Sequence, residues 1–359
     1  MQNAFTGTRL ILFVLCAVIA ICASQRQALA QQNADDGYDG SRQIGGGFAK
    51  ARPTPPADSK PASAPVYKRV DTAAWNAAPE PKVVAPPART RNVIHHHVAT
   101  TRRKPLIRMA ESSTVPPSAA EGEFADVGVT IWRLRPGKLS DDAATMAFLT
   151  ADGLEQLVTP VRIKGTDSVS LGDRLRFSIE SPRTGYLYVI NRTKYDDGSI
   201  GTPELIYPTL RTRGGDNRVT AGRLIDVPAQ DDTPNYFTLT SEGHAERKVA
   251  GEILDVIVSP SPITELSSVR REALQLSAER VAQWSRLWGN LAEQLELVGG
   301  EGQPWTNAEK EAGANGGRSL TQVEPMPQTI YRVKVRRNGP AMVTLQLIYG
   351  QQKATKKNG

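Results

Sequence analysis

From residue 124 to residue 350 apolar side chains recur at every second position, and a period of two confines most of this block to extended chain. Val127, Val129 and Ile131 alternate with Gly128 and Thr130. Leu175, Phe177 and Ile179 alternate with Arg174, Arg176, Ser178 and Glu180, which predicts a strand with one apolar and one wet face. The run YLYVI at 186–190 follows Pro182 and Gly185 and is apolar throughout, so it reads as a strand covered on both sides. Further strands are predicted at 204–207, 223–227, 236–240 and 252–258, each bounded by Pro, Gly, Asn or Asp. Short strands in succession, over roughly 220 residues, predict a single mainly β domain, a β-sandwich or an open barrel.

Two local patterns stand out within it. Ser277 is a candidate N-cap, and Val281, Trp284, Trp288, Leu291 and Leu295 recur at helical spacing up to Gly299 and Gly300. The spacing predicts one long amphipathic helix, its tryptophan stripe packed as core rather than holding an aromatic ligand. After it, Tyr331, Val333 and Val335 point one way while Arg332, Lys334 and Arg336 point the other. The Asn338-Gly339 turn and the apolar series Val343, Leu345, Leu347 and Tyr349 complete a predicted C-terminal hairpin. Its outer face, with Arg337 and the basic tail 351–359, is a secondary candidate anion-binding surface, although a sheet edge guarded by cations is the commoner reason for such a pattern.

The N-terminal region reads differently. Arg9, the apolar run 10–23 and Ala28-Leu29-Ala30 predict a secretory signal peptide over 1–30, cleaved near Ala30, with no transmembrane span in the mature chain. Both cysteines, Cys16 and Cys22, fall in it, so the mature protein enters an oxidising compartment without a disulfide framework. Thiol catalysis and thiolate metal sites are excluded on that reading. About half of the 25 prolines fall in 31–123, where large apolar residues lack any period, which predicts a disordered basic linker. Residues 41–110 carry a net charge of about +10 against +7 for the whole chain. His95, His96 and His97 lie in this linker, and three adjacent imidazoles on a flexible chain do not preorganise a metal site.

Catalytic constellations are sparse. His244 is the one imidazole in the folded block, in a polar stretch between Glu242 and Glu246. The acidic pairs Asp141-Asp142, Asp196-Asp197 and Asp231-Asp232 are chain neighbours that read as turn chemistry. They also lack the ligand ladder of a calcium loop. The run Arg211, Arg213, Gly214, Gly215, Asp216, Asn217, Arg218 combines exposed backbone N–H groups with three guanidinium forks. Arg211, Arg213 and Arg218 are therefore the primary anion-binding or ligand-binding candidates, although the Lys-Ser/Thr ending of a P-loop is missing.

The series VTIWRLRP at 129–136, SPRTGYLYVINR at 181–192 and LIYPTLRTRGGDNRVTAGRLIDVP at 205–228 resembles the bacterial domain of unknown function 4384. WTNAEKEAG at 305–313 and PQTIYRV at 327–333 are similar to the tail of its exported members. The resemblance implies an accessory role and supplies no catalytic residue, cofactor or metal. The chain is thus expected to be an exported, non-enzymatic binding module in the periplasm or outside the cell. An envelope protein, a glycan or an anionic surface component is its expected partner, with no specific nucleic acid. The alternative is an extracytoplasmic hydrolase using carboxylates from separate strands.

Overall fold

The computed structural model describes residues 48–59, 64–70, 123–137, 143–149, 155–181, 183–240, 247–289 and 292–350. The stretch 1–30 expected to be a signal peptide, the three consecutive histidines, Asp141-Asp142, His244 and the tail 351–359 lie outside them. In chain order the first strands are β1 Tyr67–Val70, β2 Glu123–Pro136, β3 Met146–Leu149, β4 Glu155–Ile163, β5 Ser168–Val169, β6 Arg174–Ser181, β7 Gly185–Tyr195 and β8 Glu204–Tyr207. There follow β9 Arg218–Val219, β10 Arg223–Val227, β11 Phe237–Thr238, β12 Val249–Ser259, β13 Leu274–Gln275, helix α1 Ala278–Trp288 and β14 Glu293–Leu297. Helix α2 Asn307–Gly313, β15 Thr329–Val335 and β16 Ala341–Tyr349 complete the described chain.

Among the described residues the strands form two sheets, so the predicted mainly β sandwich is the fold. The first runs β1-β14-β15-β2-β4-β3. Its spine is β2, whose first half pairs with β15 and second half with β4 along one edge, while β6 pairs along the other. β10 and β11 then take successive stretches of the free edge of β6. The second sheet runs β13-β8-β7-β12-β16-β5, with β9 on β7. Leu175, Phe177 and Ile179 meet Leu187, Val189, Leu254, Val256, Val343 and Leu345 in the core between the sheets. Gly185 lies so close to the carbonyl of Ser259 in β12 that a methyl there would overlap it.

The C-terminal pair is not a hairpin. β15 belongs to the first sheet and β16 to the second, so the Asn338-Gly339 turn carries the chain across the sandwich. Their apolar faces still point into one core, which is why the alternation looks like a hairpin in sequence. The helix is also shorter than its spacing predicts. Ser277 Oγ caps it by accepting from Arg280 N at 3.1 Å, and Val281 and Trp284 pack on Tyr188, Ile190 and Ile257 of the second sheet. It stops at Gly289; Leu291 lies outside the described residues, and Leu295 belongs to β14, where it is buried as part of a strand and falls on the helical spacing by coincidence. Trp284 and Trp288 stack with ring centres 5.5 Å apart.

The largest correction concerns the face of β6 expected to be wet. Arg176, Ser178 and Glu180 are 0%, 1% and 1% exposed. A second layer covers this side of the first sheet and supplies partners to most of its polar groups, although Arg176 Nε and Trp305 Nε1 are buried without a hydrogen-bond partner. Trp305 lies against Trp132 and Arg176, and Thr306 caps α2 through a reciprocal pair of hydrogen bonds with Glu309. Glu309 also pairs with Arg162. Gly313 sits directly over the Asp226 carboxylate, where any side chain would overlap it. Asp226 accepts from Arg176 Nη2 at 3.0 Å and from Ser178 Oγ at 2.6 Å, and Ser178 Oγ accepts from Trp132 Nε1 at 2.8 Å. A buried arginine and carboxylate are tolerated because each offsets the other's charge and both Arg176 Nη groups and both Asp226 oxygens find further partners.

Part of the predicted linker supplies the rest of this layer. Phe48, Ala49 and Tyr67 are buried with Leu295, Met326 and Ile330, and Gly128 leaves the space that the Phe48 ring occupies. Arg52 makes a two-pronged pair with Glu180, at 2.7 and 2.6 Å, and its Nη1 donates to the carbonyls of Thr321, Glu324 and Pro325. Tyr67 OH donates to Pro327 O at 2.6 Å. Residues 48–59 and 64–70 are therefore part of the domain, which begins well before residue 124. Sparse apolar residues suffice here because the covered face is polar and is matched by hydrogen bonds rather than by area.

Glu324 also closes the surface of this layer. The Arg318 guanidinium holds its carboxyl down to about 2 from an ordinary 4.5. A lowered carboxyl stabilises the fold above the unfolded value and loses that contribution as pH falls toward 2. Glu324→Gln is expected to flatten the loss of stability between pH 4.5 and about 2, measured as urea midpoint against pH. An unchanged acid limb would remove Glu324 from the account.

Candidate ligand-binding cleft

The inward rows of the second sheet change character toward one end. On β7 the parity of Leu187 and Val189 continues through Asn191 and Thr193, and on β12 that of Val258, Val256 and Leu254 continues to Glu252. β8 contributes Glu204 and Ile206, after a register shift between Val189 and Ile190 leaves Tyr207 in the core. Across the gap stand Leu175, Phe177 and Phe237 of the first sheet. The two sheets are intact here, but shorter side chains and polar ends leave a cleft of about 510 Å³.

Its polar groups are arranged by neighbouring strands. Glu252, buried, accepts from Asn191 Nδ2 at 3.2 Å and from the Tyr349 hydroxyl at 3.1 Å. Burial, then the Glu252 charge, pushes the Tyr349 phenol up, so it keeps its proton and donates. Asn191 Oδ1 is buried without a hydrogen-bond partner. Glu204 lies half-buried in the same wall, and among the described residues its side chain makes neither an ion pair nor a hydrogen bond. No lysine, arginine or histidine lines the cleft among the described residues. The arrangement is an apolar floor with an acceptor-rich rim.

The residues singled out in sequence lie elsewhere. Arg211 pairs with Glu272 at 2.6 Å and Arg218 lies 3.6 Å from Asp216, all four exposed. Arg213 adopts a positive φ of 50°, and its backbone N–H donates to Asp232 at 2.8 Å. Burial raises the Asp232 carboxyl. The Arg211 and Arg218 guanidinium groups are thus each engaged with an acidic residue, whereas Arg213 meets Asp232 through its backbone and its Nε is buried without a hydrogen-bond partner. Arg332 makes a two-pronged pair with Asp126 of β2 and lies over Phe124. Lys334 on the same strand and Arg336 just past its end are exposed. Asp197 accepts from the N–H and hydroxyl of Ser199, which holds its carboxyl low at the turn after β7. No group of three or more His, Cys, Asp or Glu able to hold a metal occurs among the described residues. None of the described helices is long and apolar enough to cross a membrane.

A scan against protein-family models, a search of curated proteins and a search of solved structures each find no match.

Proposed function

We propose that the chain is an exported, non-enzymatic binding module of the bacterial cell envelope, and that the cleft between the two sheets receives its ligand. The carrying observation is the change from apolar to polar at inward positions 191, 193 and 252 while the strands remain paired. A sandwich end with this composition offers apolar contact and a few orienting groups, the usual make-up of a small-ligand site. Of the buried acids outside the cleft, Glu180, Asp226, Asp255 and Glu309 are each held by an arginine and Glu296 accepts from Gln294, Gln328 and Thr329, so all serve the fold. Membership of the domain of unknown function 4384, proposed from the ordered motifs, agrees with an accessory role. The structure gives the tail motif WTNAEKEAG a packing reason through Trp305, Glu309 and Gly313.

The test is photo-crosslinking in living cells followed by capture and mass spectrometry. It compares the unchanged chain with Thr238→Trp, which fills the cleft, and with Arg211, Arg213 and Arg218 all changed to Glu. An envelope component captured by the unchanged chain and the triple variant but lost with Thr238→Trp is the expected result. Capture that survives Thr238→Trp would remove the cleft from the function, and loss in the triple variant alone would return it to the arginine loop.

A second reading has its own support, because Glu204 and Glu252 place two carboxylates in one cleft. This is the minimum equipment of a hydrolase using acids from separate strands. Turnover of a captured glycan, abolished by both Glu204→Gln and Glu252→Gln while binding persists, would establish it in place of the binding module.

A further inference from the structure

Taking the cleft as the ligand site, as proposed above, we infer that its ligand is a small organic cation: a protonated amine carried on an apolar body. The volume of about 510 Å³ lies within the roughly 300–1,000 Å³ typical of sites for small organic ligands. The body of such a ligand would lie against Leu175, Phe177, Leu254 and Leu347, and the head is selected by the rim. Glu204 is the decisive residue. A half-buried carboxylate loses part of its hydration, and this one has no side-chain partner among the described residues to replace it. Asn191 Oδ1, an acceptor likewise without a partner, stands in the same wall. Residues 191 and 204 are directly opposed in the pairing of β7 with β8, so the two acceptors converge. A ligand bringing N–H donors and a positive charge satisfies both, whereas a carboxylate or phosphate would meet two like charges and no cation of the lining.

The probes are phenethylamine, its neutral counterpart phenethyl alcohol and the anion hydrocinnamate, titrated into the full chain. Methyl resonances of Ile206, Leu254 and Leu347 report on the cleft. The amine is expected to bind at least about tenfold more tightly than the alcohol at low ionic strength, with hydrocinnamate weakest. Added salt should weaken the amine and leave the alcohol unchanged. Glu204→Gln, which preserves size, should reduce the preference for the amine to less than about threefold without moving the melting temperature. Equal binding of amine and alcohol, absence of amine binding at about 10 mM, or a preference that survives Glu204→Gln overturns the inference. Its failure is separable from that of the proposed function. A partner lost with Thr238→Trp while the amine fails leaves the cleft as the site and the ligand class wrong. Amine binding alongside capture indifferent to Thr238→Trp leaves a cation site that does not serve the captured partner.

Discussion

Arg176→Met is expected to lower stability by about 3–5 kcal/mol. The guanidinium is fully buried, and burial pushes its pKa down while the Asp226 charge pushes it back up. Arginine nonetheless remains protonated. Removing it leaves Asp226 as an uncompensated carboxylate beneath Gly313, with Ser178 and Gln230 as its remaining donors. It also strips the Pro228 carbonyl of a donor and the Trp305 ring of its cation. The informative partner is the double variant Arg176→Met, Asp226→Leu. Replacing a buried pair by apolar residues of similar volume is often neutral or stabilising, so the double should recover most of the loss. Urea unfolding of the four-member cycle measures the coupling. A single variant within about 1 kcal/mol of the unchanged chain would mean that the pair is solvated and that the second layer does not exclude water.

The strands were legible because their signal is local. Alternation at 127–131 and 175–179, and the continuous run at 186–190, follow directly from which faces are buried. What could not be read was what covers each face. Arg176, Ser178 and Glu180 are indistinguishable in sequence from a solvated row, since a polar residue satisfied by a buried arginine looks like one satisfied by water. The covering elements come from 48–59, 64–70 and 298–328, far away in the chain, and carry no period of their own. The same ambiguity hid the crossing at Asn338-Gly339, because two strands facing one core alternate alike whether they pair or face each other.

The cleft was partly legible. Extending the parity of Val256 and Leu254 to Glu252, and of Val189 to Asn191 and Thr193, finds inward polar residues on two adjacent strands. That coincidence is the signal a search for chain-local motifs misses. Glu204 was beyond such reading, since the register shift in the β7–β8 pairing decides which side chains of β8 face inward. The arginine loop drew attention for the opposite reason. Its residues are close in sequence, but Glu272 and Asp232, which engage two of them, are distant.

Arg52→Ala is the second large effect, expected at about 3–5 kcal/mol although the residue lies in a stretch that composition marks as linker. The substitution leaves the Glu180 carboxylate buried, together with the three carbonyls that Arg52 Nη1 serves. An unpaired buried carboxylate has a raised pKa. Its folded state then gains stability on acidification and loses it as pH rises through that raised value. The variant should therefore recover part of its deficit at mildly acidic pH, where the unchanged chain does not gain. Glu180→Gln introduced beside Arg52→Ala should abolish that recovery, which ties it to this one group. A chain beginning at residue 71 should lose at least as much as Arg52→Ala, because β1 and the Phe48 contact go with it. Residues 71–122, by contrast, connect two points of one sheet. Val70 and Val127 align through Gln294 and Tyr331, which puts Val70 and Glu123 roughly 20 Å apart. Replacing 71–122 by a flexible linker long enough to span that gap should leave the urea midpoint unchanged. If Arg52→Ala and the truncation are both silent, residues 48–70 do not hold the second layer in solution. If both are destabilising and the loop replacement is not, the folded unit begins near Phe48 and the basic stretch is an excursion from it.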